Sequence, residues 1–336
     1  MDKVSLIVPI LNEERYIISF LQSVINQDFS HKDLELLMVD GQSEDKTRKL
    51  IVEFMENKDI KYKILDNPKR FTPIAMNIGI KACKHEFIIR LDAHSEYPTD
   101  YVSKCIHYLK DTDAWNVGCV LKASYNNDNE KTIAKLLSSK FGVGNSGFRT
   151  NAKSGYVDTV PFGAFRKDLF RKIGLFDERL HRNQDSELNA RILKNGGKIY
   201  LFNDISIDYY PRNTIKKLLK MGFQNGKWNI YTTMLCPGSM KIRHFIPFLF
   251  VISLIIGTLV VLIQWRFLSI LFLFELIMYS LLDIYFSIRL SETISELLKL
   301  FLLFPAFHAV YGFGSIVGLG KCLCNWKKKY KIEFIS

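Results

Sequence analysis

The sequence predicts an α/β domain with a mostly parallel central sheet, followed by C-terminal membrane helices. Three observations predict it. Apolar runs of strand length alternate with stretches of helical spacing through the first ninety or so residues. Acidic and polar side chains gather at the ends of those runs, not within them. After residue 244 the composition shifts to long, almost uncharged apolar stretches.

Residues 4–10 (VSLIVPI) read as a first buried strand. Residues 12–27 carry helical spacing, with Ile17, Phe20, Leu21, Val24 and Ile25 on one face, Asn12 as N-cap, and Glu13 and Glu14 at the positive helix start. Residues 34–40 (LELLMVD) form a second strand ending at Asp40. GQSEDKT follows, with Ser43 or Asp45 as cap of a helix through Phe54. Residues 60–66 are the third strand, and the loop from Asn67 to Arg70 leads to a short helix over 72–83. The fourth strand carries Phe87, Ile88, Ile89 and Leu91 and closes on Asp92 and His94. Ligands of such sheets bind outside the carboxyl ends of the strands, so Pro9 to Glu13, Asp40 and Asp92 to His94 are expected around one crevice.

The middle is less regular. Residues 131–141 look helical and basic, and GVGNSG reads as a flexible loop because no strand and helix flank it. Residues 158–165 suggest a strand and 167–173 a short helix. An amphipathic helix starts near Gln184, turns Leu188, Ile192 and Leu193 inward and stops at Gly196, with Asp185 and Glu187 in its first turn. Residues 214–228 place Ile215, Leu218, Leu219 and Phe223 on one side and Lys216, Lys217, Lys220 and Lys227 on others, the pattern of a helix on a bilayer surface. The organisation expected is therefore a cytosolic catalytic domain over 1–212, an interfacial helix and juxtamembrane linker over 213–244, and a membrane region over 245–336.

Residues 245–265 hold no formal charge over 21 positions, enough to span a bilayer. Residues 267–288 form a second span, interrupted by Glu275 and Asp283, with a tight hairpin at 264–266. These two acids face either a protein interior or lipid-phosphate path, or the interfaces near helix ends. Residues 300–320 form a third apolar segment. Three spans from a cytosolic start would leave the basic KCLCNWKKKYK outside, against the positive-inside rule. Pro305, Gly312, Gly314 and Gly318 also interrupt a plain helix, so a re-entrant or interfacial placement is favoured over spanning, with SETISELLK before it as a surface helix.

Composition narrows the partners. The net charge is +12, with 36 Lys/Arg against 29 Asp/Glu in residues 1–240 and 10 against 5 in the remainder. The excess beside apolar runs favours anionic lipid over nucleic acid. Met1-Asp2-Lys3 leads directly into the first strand with no long apolar core or small-residue cleavage site, so the N-terminal half is expected to stay in the cytosol. The six cysteines form no CxxC pair, so reduced thiols are expected. After the first strand the chain reads PILNEE, without the glycine fingerprint of nicotinamide or flavin enzymes.

The chemistry concentrates in EFIIRLDAHSEY. A carboxylate and an imidazole at i and i+2 past a strand end can share one divalent cation, and such a cation can bridge the phosphates of a nucleoside diphosphate. Arg90 is positioned to pair with Asp92 or Asp40. Lys69 and Arg70 lie within reach of a phosphate. Asp185 stands either as a general base or as a carboxylate stabilising its helix start. Glu187 is its rival, aimed about 200° away around the helix.

VSLIVPILNEE, VDGQSEDKT, NPKRFTPIAMNIGI, RLDAHSEYP, VPFGAFRKDLFRKIGLFDE, RNQDSELNARI and QNGKW, in this order over residues 4–228, resemble family 2 glycosyltransferases of the Rossmann-like GT-A fold. With the apolar tail and its AFHAVYGFGS segment, the chain is most similar to the membrane-attached exopolysaccharide enzymes of the succinoglycan ExoA type. The resemblance implies an inverting transfer from a nucleoside diphosphate sugar, usually a UDP-sugar, in exopolysaccharide or capsule biosynthesis at a bacterial cell membrane. It makes Asp185 the catalytic base and Asp40 the contact to the base of the nucleotide. Pro9, Asn12 and Glu13 belong to the first donor loop, with Arg90 and Asp92 also on the donor side. Asp92 opens the DxD metal motif and His94 takes the place of its second Asp, which favours Mn2+ over Mg2+. Gln224, Lys227 and Trp228 fit the QxxRW pattern of the acceptor or phosphate region, Lys227 keeping the charge of the Arg without its bidentate geometry. Trp228 also suits a bilayer interface. Leu11 replaces an aromatic residue over the base, and Gln184 replaces the Glu before Asp185. A polyprenyl diphosphate-linked saccharide is the acceptor such an enzyme implies. Two other readings stand beside it. A sugar-nucleotide pyrophosphorylase would need a Gly-rich N-terminal loop and no membrane hairpin; a non-catalytic membrane scaffold would need no base.

Overall fold

The computed structural model describes residues 2–144, 146–150 and 152–325. The basic tail beyond residue 325 and Asn145 of the Gly-rich run lie outside the described residues. The chain forms two compact units, one of residues up to 124 with 147–210, the other of 125–146 with 211 onward.

In the first unit, nine strands join one mixed sheet among the described residues. They are β1 (Val4–Ile10), β2 (Leu34–Asp40), β3 (Lys61–Asp66), β4 (Phe87–Arg90), β5 (Ser95–Glu96), β6 (Ala114–Ala123), β7 (Gly155–Tyr156), β8 (Ala164–Arg166) and β9 (Lys198–Tyr209). The order is β3-β2-β1-β4-β8-β6-β9-β5, with β7 on β9. β3, β2, β1 and β4 run parallel, as do β6 and β9, while β8 is antiparallel to both of its neighbours. The helices are α1 (Ile17–Ile25), α2 (Thr47–Met55), α3 (Thr72–Ala82), α4 (Tyr101–Asp111), α7 (Leu169–Ile173) and α8 (Gln184–Lys194).

Alternation along buried strands builds two core layers. Val4, Leu6, Val8 and Ile10 of β1 join Phe20, Leu21 and Tyr101 on one face of the sheet. Ile7 of the same strand joins Ala75, Met76 and Ile80 of α3 on the other. A strand covered on both faces reads as an unbroken apolar run, which is why β1, β2 and β4 stand out in the sequence. The chain moves from β1 outward to β3 and then returns to place β4 on the other side of β1. That reversal opens a crevice at the carboxyl ends of β1 and β4.

Several boundaries differ from expectation. α1 begins at Ile17, not at residue 12. Asn12 takes a left-handed φ of 56° and its Oδ1 accepts the Glu44 N–H, so it braces two loops instead of capping a helix. α2 begins at Thr47, whose N–H donates to Asp45 Oδ1. The strand expected over 158–165 shortens to β8, because Phe162 (φ 58°) and Gly163 (φ 77°) break extension. α4, β6 and β9 were not anticipated. Gly196, at φ 81°, follows α8 as the pattern requires.

The second unit holds α5 (Asp128–Leu137), α6 (Lys140–Val143), α9 (Ile215–Leu235), α10 (Ile246–Leu262), α11 (Arg266–Leu290) and α12 (Ile294–Asn325). α10, α11 and α12 are each long and apolar enough to cross a membrane. α12 runs through Pro305 and its glycines without a break, and SETISELLK is no separate helix: from Ile294 it forms the first turns of α12. Glu292 and Glu296 are ion-paired by Lys131 and Lys135 of α5. The α12 glycines serve close approach. A Cβ at Gly314 would strike the carbonyl oxygen of Phe223, and one at Gly226 that of Tyr311. Ser315 Oγ donates to the Gly226 carbonyl at 3.1 Å. The glycine face of α9 is thus covered by α12. Between α10 and α11, Ser253 Oγ donates to Glu275 at 2.5 Å, and Asp283, 2% exposed, accepts from Ser287 within α11. Both acids face protein partners.

Candidate active site

The crevice at the carboxyl ends of β1 and β4 is a half-open cavity of about 140 Å3. Pro9, Glu13, Arg90, Asp92 and His94 line it, together with Asn67, Arg70 and Phe71 from the loop after β3. Arg70 in the lining has a left-handed φ of 63°, and Asn12, between the lining residues Leu11 and Glu13, has one of 56°. Such backbone costs on the order of 1–3 kcal/mol per residue and persists where the surrounding structure fixes it.

Asp92 is held by its backbone N–H, which donates to the buried Tyr97 hydroxyl at 2.7 Å. Its Oδ1 lies 2.7 Å from His94 Nδ1, and Glu13 Oε1 lies 3.4 Å from the same nitrogen. Burial by itself would lower the imidazole pKa, but the Asp92 and Glu13 carboxylates raise it to about 11. His94 is therefore an imidazolium at neutral pH when no cation competes for its nitrogen. Burial likewise opposes the charge on Asp92, yet His94 and Arg90 hold its carboxyl below the usual range.

Among the described residues no group of three His, Cys, Asp or Glu side chains forms a metal cage. Asp92 and His94, the pair the sequence suggested as metal ligands, lie side by side at the mouth of β4, 2.7 Å apart. One carboxylate and one imidazole fit a divalent cation that would take its remaining ligands from phosphate and water.

Arg90 pairs with neither Asp92 nor Asp40, the two partners that adjacency and strand order suggested. Its Nη1 donates to Asp185 Oδ1 at the first turn of α8, joining residues 95 positions apart. The left-handed Asn183 starts that helix and aims its first turn. Asp185 is one-third exposed. Glu187 is committed elsewhere: its two oxygens accept from Nε and Nη2 of Arg191, both at 2.7 Å.

Asp40 is completely buried. Its carboxylate accepts the Ser43 hydroxyl at 2.6 Å and lies 3.2 Å from Arg48 Nη1, and it does not line the cavity. Asn67, which sequence reasoning passed over as a site residue, lines the cavity from this side with Arg70 and Phe71. Asn67 is 1% exposed; its Nδ2 donates to the Phe71 carbonyl, and its Oδ1 meets no donor. The signal that pointed to it was its place directly after a strand end. Gln224, Lys227 and Trp228 lie on α9 in the second unit. Gln224 and Lys227 are half-buried, whereas Trp228 is buried against Tyr231, with ring centroids 5.4 Å apart.

Comparison with known proteins decides the family. Residues 5–174 match Glycosyl transferase family 2. The chain belongs to that family. This glycosyltransferase is 30% identical, over 96% of its own length and 98% of the relative's, to a dolichyl N-acetyl-alpha-D-glucosaminyl phosphate 3-beta-D-2,3-diacetamido-2,3-dideoxy-beta-D-glucuronosyltransferase of Methanococcus voltae. It is 27% identical to the succinoglycan biosynthesis protein ExoA of Rhizobium meliloti, over 77% of this chain and 78% of that one. The mannosyltransferase PcManGT of Pyrobaculum calidifontis, solved with GDP-Man and Mn2+, superposes with a TM-score of 0.66 over 95% of this chain and 87% of that one. At 16% identity that likeness shows the fold, which is GT-A. The three apolar helices make this glycosyltransferase a membrane-associated one.

Proposed function

We propose that this glycosyltransferase moves a sugar, with inversion, from a nucleoside diphosphate sugar to a lipid-linked saccharide at the cytosolic membrane face. One observation carries the reading: Glu13, Arg90, Asp92 and His94 share the cavity at the strand ends, and Arg90 joins Asp185 to it. The reaction forms a bond from the acceptor oxygen to the anomeric carbon and breaks the bond to the diphosphate. Asp185 takes the acceptor's proton, and the nucleoside diphosphate leaves with the bonding pair. Pro9, Glu13 and the loop around Asn12 border the donor. A divalent cation held by Asp92 and His94 supplies charge neutralisation of the diphosphate when bound.

The committed carboxylate of Asp40 makes its role structural, fixing the β2 loop. Asn67 Oδ1 then serves as the acceptor that reads an N–H on the base. A UDP-sugar fits, since uracil presents one such N–H. The relatives' names support a lipid-linked acceptor, as a dolichyl phosphate saccharide is the substrate of the Methanococcus voltae enzyme. A polyprenyl diphosphate saccharide in exopolysaccharide or capsule assembly is the acceptor proposed here. Gln224, Lys227 and Trp228 belong to its side of the reaction.

The test is transfer in membranes containing the full-length protein, from a panel of labelled UDP- and GDP-sugars, with EDTA and with Mn2+. The expected result is one donor that labels organic-extractable lipid, stopped by EDTA and restored by Mn2+. No transfer from any donor would contradict the proposal.

A further inference from the structure

Arg90 carries more bonding capacity than the ion pair with Asp185 uses. Its side chain ends β4, is 7% exposed and lines the donor cavity. Only Nη1 is engaged, by Asp185 Oδ1. Nε is buried and has no acceptor, and Nη2 makes no hydrogen bond among the described residues. A buried N–H on a cation is costly to leave unpaired, so its lack of an acceptor points to a partner that arrives.

The stereochemistry narrows that partner. On a guanidinium, the N–H bonds of Nε and Nη2 run parallel along one edge, and this fork matches two oxygens of one phosphate or carboxylate. Nη1 points off the other edge. Arg90 therefore keeps its bidentate edge free while its remaining nitrogen holds Asp185. The guanidinium also lies over the Phe162 ring, 5.8 Å from the centroid. Asp185 in turn has Oδ1 fixed and Oδ2 without a partner among the described residues.

We infer that Arg90 is a positioning residue joining donor to base: its free fork edge takes two oxygens of the donor's diphosphate while Nη1 aims Asp185 with Oδ2 toward the acceptor. This rests on the reading of Asp185 as general base. Donor occupancy and base orientation are then set by one rigid plane, and an acceptor hydroxyl meets an aligned base only when a donor is seated. Lysine, which keeps the charge, cannot do both, because it lacks the planar fork.

The test uses full-length protein in detergent. UDP, GDP and uridine affinities are measured for wild type, Arg90→Lys and Asp185→Asn, with kcat and donor KM for the sugar nucleotide that wild type uses. In Arg90→Lys the affinity for nucleoside diphosphate should fall about ten- to hundredfold, with uridine affinity unchanged. kcat should fall as well, beyond what saturating donor recovers, and Arg90→Lys should add little to the loss already caused by Asp185→Asn. A scaffolding role for Arg90 would move none of these selectively. Arg90→Lys binding UDP within twofold of wild type, or losses that add fully in the double variant, would overturn the inference and leave the glycosyltransferase reading intact. Weaker binding of the sugar nucleotide with unchanged UDP binding would assign the fork to the sugar and overturn the diphosphate assignment. Should Arg90→Lys melt below the assay temperature, Asp185→Asn decides: loss of the carboxylate charge that shares this guanidinium should tighten UDP, not uridine, and an unchanged UDP affinity would overturn the inference. Wild type that binds neither UDP nor GDP would overturn both readings.

Discussion

Asp185 and Glu187 share the first turn of α8 and differ in what they touch. Glu187 spends both oxygens on Arg191, whereas Asp185 keeps one oxygen free. Glu187→Gln should leave transfer within about threefold of wild type and destabilise the protein by roughly 1–3 kcal/mol, since a partly buried guanidinium loses its carboxylate; activity and thermal melting of the same sample check this. Asn67 is the converse case. Its Oδ1 has no donor within the protein, so Asn67→Ala should weaken UDP binding about five- to tenfold, one neutral hydrogen bond's worth, and should cost about 1 kcal/mol of stability for the lost Nδ2 bond to the Phe71 carbonyl. These roles were only partly legible beforehand. Asp92, His94 and Asp185 announce themselves by position at strand and helix ends. The partnership of Arg90 with Asp185 spans 95 residues and depends on how β4 and α8 come together, which no local pattern records. Asp40 was legible as a strand-end carboxylate, but not its consumption by Ser43 and Arg48.

At the scale of elements, the strands buried on both faces were readable as apolar runs, and those with irregular pairing were not. β9 does not alternate cleanly: Leu201 and Phe202 are both buried and Asn203 and Asp204 both exposed, and its register with β6 shifts between Cys119 and Val120. That irregularity erases the clean period of two on which strand recognition rests. In α12 the residue types were read correctly and their consequence was not. Glycine weakens a lone helix but permits backbone contact between two packed ones, and α9 supplies the second. Gly226→Leu should therefore destabilise the α9–α12 pair by at least about 1–3 kcal/mol, because the nearest atoms belong to backbone that cannot swing aside. Thermal melting in detergent measures it. A leucine at Gly238, with nothing within 4 Å but a left-handed φ, should cost less, about 1 kcal/mol.

At the scale of the whole molecule, residues 125–146 belong to the unit that carries the membrane helices. Ile133, Leu136 and Leu137 of α5 pack in one cluster with Leu300, Leu303, Phe304 and Phe307 of α12. Removing everything after residue 240 should therefore not yield a soluble catalytic fragment. It should expose that apolar surface and unpair Lys131 and Lys135, giving a product that sediments and binds a hydrophobic dye. The account as a whole depends on chemistry at the β1–β4 crevice with Asp185 as base. The most direct measurement is the rate of sugar transfer to membrane lipid by wild type and by Asp185→Asn, at matched expression and saturating donor. A loss of about a hundredfold or more in the variant, with UDP still bound, is predicted. Equal rates in the two proteins would contradict it.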